Sequence, residues 1–305
     1  MKKVVVLGTG TMAVGIAAGF ISSGCGVILL GRNVERAKAV VSEIMGLANG
    51  LSSGSISPDQ IQTGTIEGWS DWSDVALVLE TVTENLALKQ TIFASLDKRV
   101  PTHIPIGSNS SGFPISQISQ SLRTAQRMFN MHYFMPAHIV PLVEVVLGKA
   151  SDPSMAKKVC EFFEETGKKP VLVNQDIPGF LANRIQHALM REALALVNDG
   201  IATPEDVDTA VRYSFGFRYA AVGPMTQKEI SGWEGMAIAA KEIYPSLYNN
   251  SEISPCLNKI LKERKFGIKS KEGFRTWSDE EATEMKRIYE KRLKAAFDVL
   301  QIEPD

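Results

Sequence analysis

The stretch that decides the fold is Val4-Val5-Val6-Leu7-Gly8-Thr9-Gly10-Thr11-Met12-Ala13-Val14-Gly15, where a β-branched run leads into a glycine-rich turn and an apolar helical pattern. The run predicts a buried parallel strand. The spacing G-x-G-x-x-A is that of the turn that lets a backbone approach a pyrophosphate at a helix N-terminus. Such turns are common, but strand, turn and helix follow here in the required order. We therefore predict a dinucleotide site that includes Gly8, Gly10, Thr11 and Met12.

The same segment admits a second interpretation, because Met1-Lys2-Lys3 before an apolar stretch also resembles a secretory signal. A signal has no reason to place glycines at the spacing of a cofactor turn, and its removal would delete the first strand of the sheet. The three cysteines, Cys25, Cys160 and Cys256, lack the spacing of a disulfide framework or a metal site. The sequence therefore predicts a cytoplasmic protein without a metal centre.

Composition limits the remaining possibilities. The chain has 305 residues, of which 44% are hydrophobic and 22% charged, and its net charge is -1. These values are typical of a soluble globular protein with room for two domains. The charge argues against nucleic-acid binding, and no apolar run is long enough to span a membrane.

The hydrophobic pattern changes character along the chain. Up to about residue 175, short apolar runs alternate with helical patterns, which predicts a Rossmann-type, doubly wound α/β sheet. After residue 176 only helical patterns follow, so we predict an all-helical C-terminal domain, with domains at 1–180 and 181–305. Predicted strands lie near 4–7, 27–30, 75–79, 104–107, 128–131 and 171–173. Predicted helices of the second domain lie near 180–199, 204–213, 225–243 and 279–300.

The end of the second predicted strand bears on the choice of cofactor. An acidic residue there normally binds the ribose 2′-hydroxyl of NAD, but the sequence reads Leu30-Gly31-Arg32-Asn33. Gly31 leaves space, and the planar guanidinium of Arg32 could stack on adenine and bind a 2′-phosphate. The sequence therefore favours NADP over NAD, with an exposed Arg32 at a helix start as the alternative.

Four later segments carry polar residues that a plain fold does not need: Ser108-Asn109-Ser110-Ser111-Gly112, His132-Tyr133-Phe134-Met135-Pro136, Pro141-Leu142-Val143-Glu144 and Asp176-Ile177-Pro178-Gly179-Phe180-Leu181-Ala182-Asn183-Arg184. As an ordered set they resemble the 3-hydroxyacyl-CoA dehydrogenase family. The resemblance implies that His132 is the general base, that Glu144 orients it, and that Ser111 and Asn183 complete the substrate network. It also implies that Glu84 and Lys89 lie beside the nicotinamide and that Asn109 contacts its ribose.

The chemistry of alcohol oxidation supports these roles independently. Oxidation of a secondary alcohol removes the hydroxyl proton as hydride leaves the carbon. Imidazole titrates near neutrality, and a carboxylate on one ring nitrogen sets the tautomer. Simpler interpretations exist: a buried structural His132, a turn residue at Ser111, a helix-surface amide at Asn183, and solvated side chains at Glu84 and Lys89. For Glu144 the simple interpretation is a surface carboxylate. It fits poorly, because an unpaired charge within an apolar run is costly.

Charge distribution points to the substrate. Residues 39–88 contain no Lys or Arg but seven acidic residues, a poor surface for the phosphates of coenzyme A. Met135 and Pro141 also depart from the acyl-CoA pattern, and the segment 218–225 resembles the branch of the family that acts on free hydroxy acids. We therefore expect an NAD(P)-dependent dehydrogenase of a small β-hydroxy acid, whose carboxylate is bound by Arg218 or a neighbouring basic residue. The alternative for Arg218 is a structural ion pair beside core aromatics.

Other functions and partners remain open at this point. The first alternative is a 3-hydroxyacyl-CoA dehydrogenase that acts on the thioester, and the second is a non-catalytic, crystallin-like dinucleotide-binding protein. The intact set of polar residues argues against the second. The amphipathic helices of the second domain, including 279–300, predict a homodimer, although the charges on that last helix also fit a solvated face.

Overall fold

The computed structural model describes residues 1–52, 54 and 56–302. The chain forms two compact units, Met1–Arg184 and Ile185–Asp305. The domain boundary predicted after residue 180 lies near this division and stays a prediction.

The first unit is built on one eight-stranded sheet. Its strands are β1 Lys3–Leu7, β2 Gly26–Gly31, β3 Ile61–Thr65, β4 Val75–Glu80, β5 Ile106–Ser108, β6 Met128–Tyr133, β7 Leu142–Leu147 and β8 Lys169–Val173. Their order is β3-β2-β1-β4-β5-β6-β7-β8, and every neighbouring pair is parallel except the antiparallel pair β6–β7. The predicted Rossmann-type sheet is confirmed.

Two strands, β3 and β7, were missing from the sequence prediction. In β3, Ile-Gln-Thr-Gly-Thr, only Gly64 is buried. This strand lies at the edge of the sheet, where a continuous apolar run is not needed. The sequence of β7 contains an apolar run, but Glu144 interrupts it. Each strand therefore lacks the simple pattern by which the others were found.

Both faces of the sheet are covered by helices, which explains the β-branched run of β1. Val4 and Val6 pack into a core with helix α1, Thr11–Ser22, whereas Val5 and Leu7 pack into a second core on the other face. The remaining helices of the first unit are α2 Val34–Ala39, α3 Val41–Leu51, α4 Leu86–Arg99, α5 Ile115–Ile118 and α6 Pro153–Glu165. Helix α7, Ala182–Asn198, begins in the first unit and continues into the second.

The second unit is helical, as predicted. Its further helices are α8 Pro204–Tyr213, α9 Phe215–Ala221, α10 Pro224–Ser231, α11 Trp233–Ile243, α12 Pro255–Lys262 and α13 Asp279–Val299. Helix α8 starts where the sequence predicts, because Thr203 and Asp206 form a capping box. The single helix predicted over 225–243 is two helices, broken at Gly232, whose φ of 87° is incompatible with a continuous α-helix.

Burial differs sharply between the two units. Among described residues 185–302, only Ala195 and Ser254 are classed as buried. The alternative that the aromatic residues of segment 213–219 belong to a core is therefore contradicted for Tyr213, Phe217 and Tyr219, which are exposed. Across the described residues, no helix has both the length and the apolarity needed to cross a membrane.

Candidate active site

The glycine-rich turn lies between β1 and α1. Gly8 has φ of +126°, and a Cβ there would lie 2.5 Å from Thr81 Oγ1, so that only glycine fits. Gly10 forms the N-cap of α1 without a capping side chain, and a Cβ added to it would point into open space. The first amides of α1 are therefore available to an anion that approaches the turn.

A cleft of about 560 Å³ opens at the carboxyl ends of β1, β2 and β4, where the strand order reverses. Its lining includes the predicted cofactor residues Gly8, Gly10, Thr11, Met12 and Arg32. The other lining residues are Thr9, Gly31, Arg36, Ile66, Thr81, Val82, Thr83, Leu88 and Ile92. A cleft at this topological position is where doubly wound folds bind dinucleotides, and nothing in the lining obstructs one.

The charge of this cleft comes from two arginines. Arg32 and Arg36 are exposed, and neither guanidinium forms a hydrogen bond or ion pair within the described part of the chain. Among the residues that the structure describes, no Asp or Glu lines the cleft. A side chain in place of Gly31 would meet Asn33 O at 2.8 Å, so a carboxylate cannot be accommodated there without a backbone shift. The sequence had identified Arg32 but not Arg36, which occupies the first turn of α2 and has no motif of its own.

The predicted pair of His132 and Glu144 is formed. The two residues lie directly opposite each other on the antiparallel strands β6 and β7. His132 Nδ1 lies 2.7 Å from Glu144 Oε2, and the residues are only 4% and 0% exposed. The other carboxylate oxygen, Oε1, accepts the backbone N–H groups of Leu181 at 3.0 Å and Ala182 at 2.7 Å. Both oxygens of Glu144 are thus occupied, at the start of α7.

These contacts decide the charge of Glu144. Burial by itself raises the pKa of the carboxyl, but the hydrogen bonds from His132, Ala182 and Leu181 outweigh burial, so the pKa lies below its ordinary value of 4.5. An ionised Glu144 favours the tautomer of His132 that carries its proton on Nδ1. In that tautomer Nε2 has a free lone pair, and it has no hydrogen-bond partner in the described residues.

Two aromatic rings hold the imidazole in place. The ring of Phe134 lies 4.6 Å from that of His132, and the ring of Phe180 lies 5.5 Å away, both edge to face. Phe180 is buried and has φ of 48°, in a turn that also contains Gly179 at φ of 77°. The segment Asp176–Arg184 therefore supplies Phe180 against the ring and two amides to Glu144.

A second buried charge cluster lies at the ends of β4 and β5. Lys89 Nζ lies 2.8 and 3.0 Å from the two oxygens of Glu80 and 3.3 Å from Glu84 Oε2. Ser108 Oγ donates to Glu80 at 2.7 Å, and Ser110 Oγ donates to Glu84. The interpretation of Lys89 as a solvated residue is wrong, since it is 1% exposed. The exposed Glu84 fits the solvated interpretation better, although it is also tied to this cluster.

The structure does not join every predicted residue to the His132–Glu144 pair. Ser111 is exposed in the loop after β5, and Asn183 is partly buried in the first turn of α7; neither side chain hydrogen-bonds to the pair. Asn109 Oδ1 accepts the N–H of Tyr133, next to His132. Arg218 is exposed on α9 and forms no ion pair within the described part of the chain, which contradicts its structural alternative.

Sequence reasoning missed Glu80, and it gave no role to Ser108 or Ser110 within the polar segment that contains them. The only available signal was an acidic residue at the end of an apolar strand, Val75–Glu80, nine residues before a lysine on the next helix. That signal resembles the one by which Glu144 was recognised, because a carboxylate in an apolar run needs a partner.

The fold and the cleft together define a dinucleotide-binding protein of the dehydrogenase type. Comparisons with known proteins make this more specific. The 3-hydroxyacyl-CoA dehydrogenase NAD binding domain matches residues 3–177, and the C-terminal domain of that family matches residues 179–277. The chain belongs to the 3-hydroxyacyl-CoA dehydrogenase family. The predictions of the family, and of a nicotinamide-dinucleotide-dependent oxidoreductase acting on CH–OH donors, are confirmed.

Relatives within the family cover almost the whole chain. The 5-formyl-3-hydroxy-2-methylpyridine 4-carboxylate 5-dehydrogenase of Mesorhizobium japonicum is 29% identical over 308 residues, which are 99% of each chain. The L-carnitine dehydrogenase of Oceanobacillus iheyensis is 34% identical over 278 residues, covering 87% of this chain and 88% of the relative. A crystal structure of a 5-formyl-3-hydroxy-2-methylpyridine 4-carboxylic acid 5-dehydrogenase, described as an NAD+ dependent dismutase, matches with a TM-score of 0.88. It is 28% identical, and the match covers 100% of both chains.

Proposed function

We propose that this protein oxidises the secondary hydroxyl of a small, free β-hydroxy acid, or reduces the corresponding keto acid, with His132 as the general base. The observation that carries the proposal is the His132–Glu144 pair, in which a buried carboxylate occupies Nδ1 while Nε2 has no partner among the described residues. The nicotinamide dinucleotide, when bound, would accept the hydride that leaves the carbon carrying the hydroxyl.

In the proposed reaction, Nε2 of His132 accepts the proton of the substrate hydroxyl as the C–H bond breaks. The imidazolium that results is stabilised by Glu144, which remains ionised because of its hydrogen bonds. Ser111 and Asn183 are proposed to hold the substrate oxygen. Glu84 and Lys89 are proposed to lie beside the nicotinamide, and Asn109 to contact its ribose. In the reverse direction His132 returns its proton to the carbonyl oxygen.

A substitution at His132 tests this role. His132→Gln is expected to lower kcat by roughly 10²- to 10⁴-fold while the Kd for the dinucleotide stays near the wild-type value. The matched control is His103→Gln, which changes an exposed histidine that lies outside the lining of the nucleotide cleft. Turnover by His132→Gln near the wild-type rate would reject the assignment.

The proposed substrate class rests on charge. Residues 39–88 carry no cation, whereas Arg218 is exposed and unpaired among the described residues, as a receptor for a substrate carboxylate would be. The named relatives act, by their names, on a pyridine carboxylate and on carnitine, which are small molecules rather than thioesters. The family name keeps the acyl-CoA thioester as the alternative.

A substrate panel distinguishes the two classes. Steady-state kcat/KM is measured for acetoacetyl-CoA and for a set of free β-hydroxy and β-keto acids with both dinucleotides. We expect the free acids to be preferred and Arg218→Gln to raise their KM, with Lys241→Gln as the matched control at another exposed cation. Strong turnover of the thioester would overturn the preference, and absence of turnover with every compound would favour the non-catalytic alternative.

We further propose that NADP is preferred over NAD. The support is the pair Arg32 and Arg36 in a cleft without carboxylates, together with the lack of space for an acid at Gly31. Arg32→Gln and Arg36→Gln are each expected to weaken NADP+ binding by roughly tenfold, with little change for NAD+, because only the 2′-phosphate needs the charge. Lys38→Gln, an exposed cation outside the cleft lining, is the control. Tighter binding of NAD+ by the unaltered protein would reject the proposal.

We propose that the protein is a homodimer through its helical unit. The support is the small number of buried residues there and the exposed apolar side chains of α7, Ile185, Leu189 and Met190. A helical unit of this length normally buries a larger core, so a second copy is expected to cover this surface. Light scattering should give twice the chain mass for the protein and the single mass for Leu189→Glu. A monomeric wild-type protein would exclude the dimer.

We also propose a cytoplasmic location. Cys25, Cys160 and Cys256 are all free thiols, as expected in a reducing compartment. Fractionation of cells that express the full chain should recover it in the cytoplasmic fraction, and recovery elsewhere would contradict the proposal.

A further inference from the structure

Lys168 is a half-buried cation that the proposed reaction does not use. It lies between α6 and β8, and its Nζ donates to the carbonyl oxygens of Ala137 at 2.8 Å and Val140 at 3.1 Å. No carboxylate pairs with it among the described residues. Without such a partner, burial lowers the pKa of Lys168 to about 8. The partial burial of this cation therefore costs folding free energy, and the two carbonyl oxygens are the groups that the ammonium binds in return.

Both acceptors belong to residues 134–141, which connect β6 to β7 and which we call the 134–141 connection. This connection joins the two members of the His132–Glu144 pair along the chain. It begins with Phe134, whose ring packs against His132, and ends two residues before the buried Val143 of β7. Any movement of the connection is therefore passed directly to the imidazole and to the strand that carries its carboxylate.

The connection also has contacts that do not involve Lys168. The N–H groups of Ile139 and Val140 both donate to Pro136 O, which is a bond inside the connection. Ala137 packs close to Gly15 of α1, and Pro141 O accepts the N–H of Lys169. Lys168, the residue before β8, thus binds two carbonyl oxygens of the connection. The next residue, Lys169, binds the last residue of the connection, Pro141, through its backbone N–H.

We propose that Lys168 is a positioning residue, which holds the 134–141 connection so that Phe134 keeps the imidazole of His132 oriented for proton transfer. Rates of proton transfer fall steeply when the donor and acceptor are misplaced by as little as 1 Å. The proposal rests on the proposed function, because it requires His132 to act as the base.

The test replaces Lys168 with methionine, which keeps the length of the side chain but removes its donors. Lys168→Met is expected to lower kcat by roughly ten- to 100-fold, with the Kd for the dinucleotide and the melting temperature near their wild-type values. The matched control is Lys169→Met, the exposed neighbour whose backbone N–H remains in place. Unchanged kcat in Lys168→Met, or an equal loss in Lys169→Met, would overturn the proposal.

Two further measurements separate positioning from a general loss of structure. Hydrogen exchange of the amides of Ile139 and Val140 should be faster in Lys168→Met, while exchange in β1 is unchanged. In a His132→Gln background, Lys168→Met should cause no further loss of kcat, because a residue that acts through His132 has nothing left to position. Additive losses, or faster exchange throughout the sheet, would contradict it.

The same variants distinguish the two levels of inference. If His132→Gln is fully active, the proposed function fails. If His132→Gln is inactive while Lys168→Met keeps the wild-type kcat, only the role of Lys168 fails.

Discussion

The first unit contains two buried carboxylates, Glu144 and Glu80, each with a cationic or ionisable partner and each fully excluded from solvent. Glu80 is bound by Lys89, by the hydroxyl of Ser108 and by the N–H of Val82. Glu144 is bound by His132 and by two backbone amides at the start of α7. Both carboxylates are well satisfied, so burial alone does not separate them.

The difference lies in the partner. Lys89 has its ammonium directed at Glu80, Glu84 and the carbonyl of Val82, so its donors are used within the protein. His132 uses one ring nitrogen for Glu144 and keeps the other without a partner in the described residues. A closed pair is suited to holding two strands and a helix together, whereas a pair with a free lone pair can exchange a proton with a ligand. Four experiments test this contrast.

The largest effect is expected for Glu144→Gln. A glutamine amide can donate to Nδ1, which would move the proton of His132 to Nε2 and remove the base, and kcat should fall by roughly 10³- to 10⁴-fold. Glu80→Gln, at an equally buried position, is expected to affect stability more than kcat. Steady-state kinetics and urea unfolding of both variants check the prediction, and similar kcat losses in the two would erase the contrast.

Lys89→Met should lower the free energy of unfolding by about 3 to 5 kcal/mol, because it leaves Glu80 buried without its cation. Lys98→Met changes an exposed lysine of the same helix and serves as the control. Urea unfolding measures both. A double variant Glu80→Gln/Lys89→Met should lose less than the sum of the single variants, and strict additivity would mean that the two side chains are not coupled.

A smaller effect is expected from the serines after β5. Ser108→Ala removes a hydrogen bond to a charged oxygen and should cost about 1.5 to 3 kcal/mol of stability. Ser111→Ala removes an exposed hydroxyl and should change stability by less than about 0.5 kcal/mol. It should lower kcat/KM, because Ser111 is proposed to hold the substrate oxygen. Thermal unfolding and kcat/KM of the two variants should therefore show opposite patterns.

The smallest effect concerns the pH dependence of stability. The pKa of Glu144 is lowered in the folded protein, so its contribution is present above the ordinary value of 4.5 and is lost as the pH falls through the lowered pKa. The stability gap between the wild-type protein and Glu144→Gln should be constant near neutrality and should narrow below pH 4.5. Urea unfolding at pH 7, 5 and 4 measures it, and a gap that widens in acid would contradict the assigned direction.

Much of this architecture was predictable because its causes are local. The turn at Gly8 and Gly10 follows from spacing, and the start of α8 follows from Thr203, Pro204 and Asp206. The pairing of Glu144 was also predictable in outline, since a charge in an apolar run needs a partner. The break at Gly232 was missed, because one glycine inside a helical pattern does not reveal a positive φ.

The sequence by itself determined the order of strand, turn and helix, the nucleotide site and the residue types able to move a proton, because these depend on neighbours within a few positions. The tertiary structure decided which charges meet. Lys89 reaches Glu80 because α4 packs against β4, and Lys168 reaches the 134–141 connection because β8 runs beside β7. Such contacts join different secondary-structure elements, and their energies depend on burial, which only the packed fold creates.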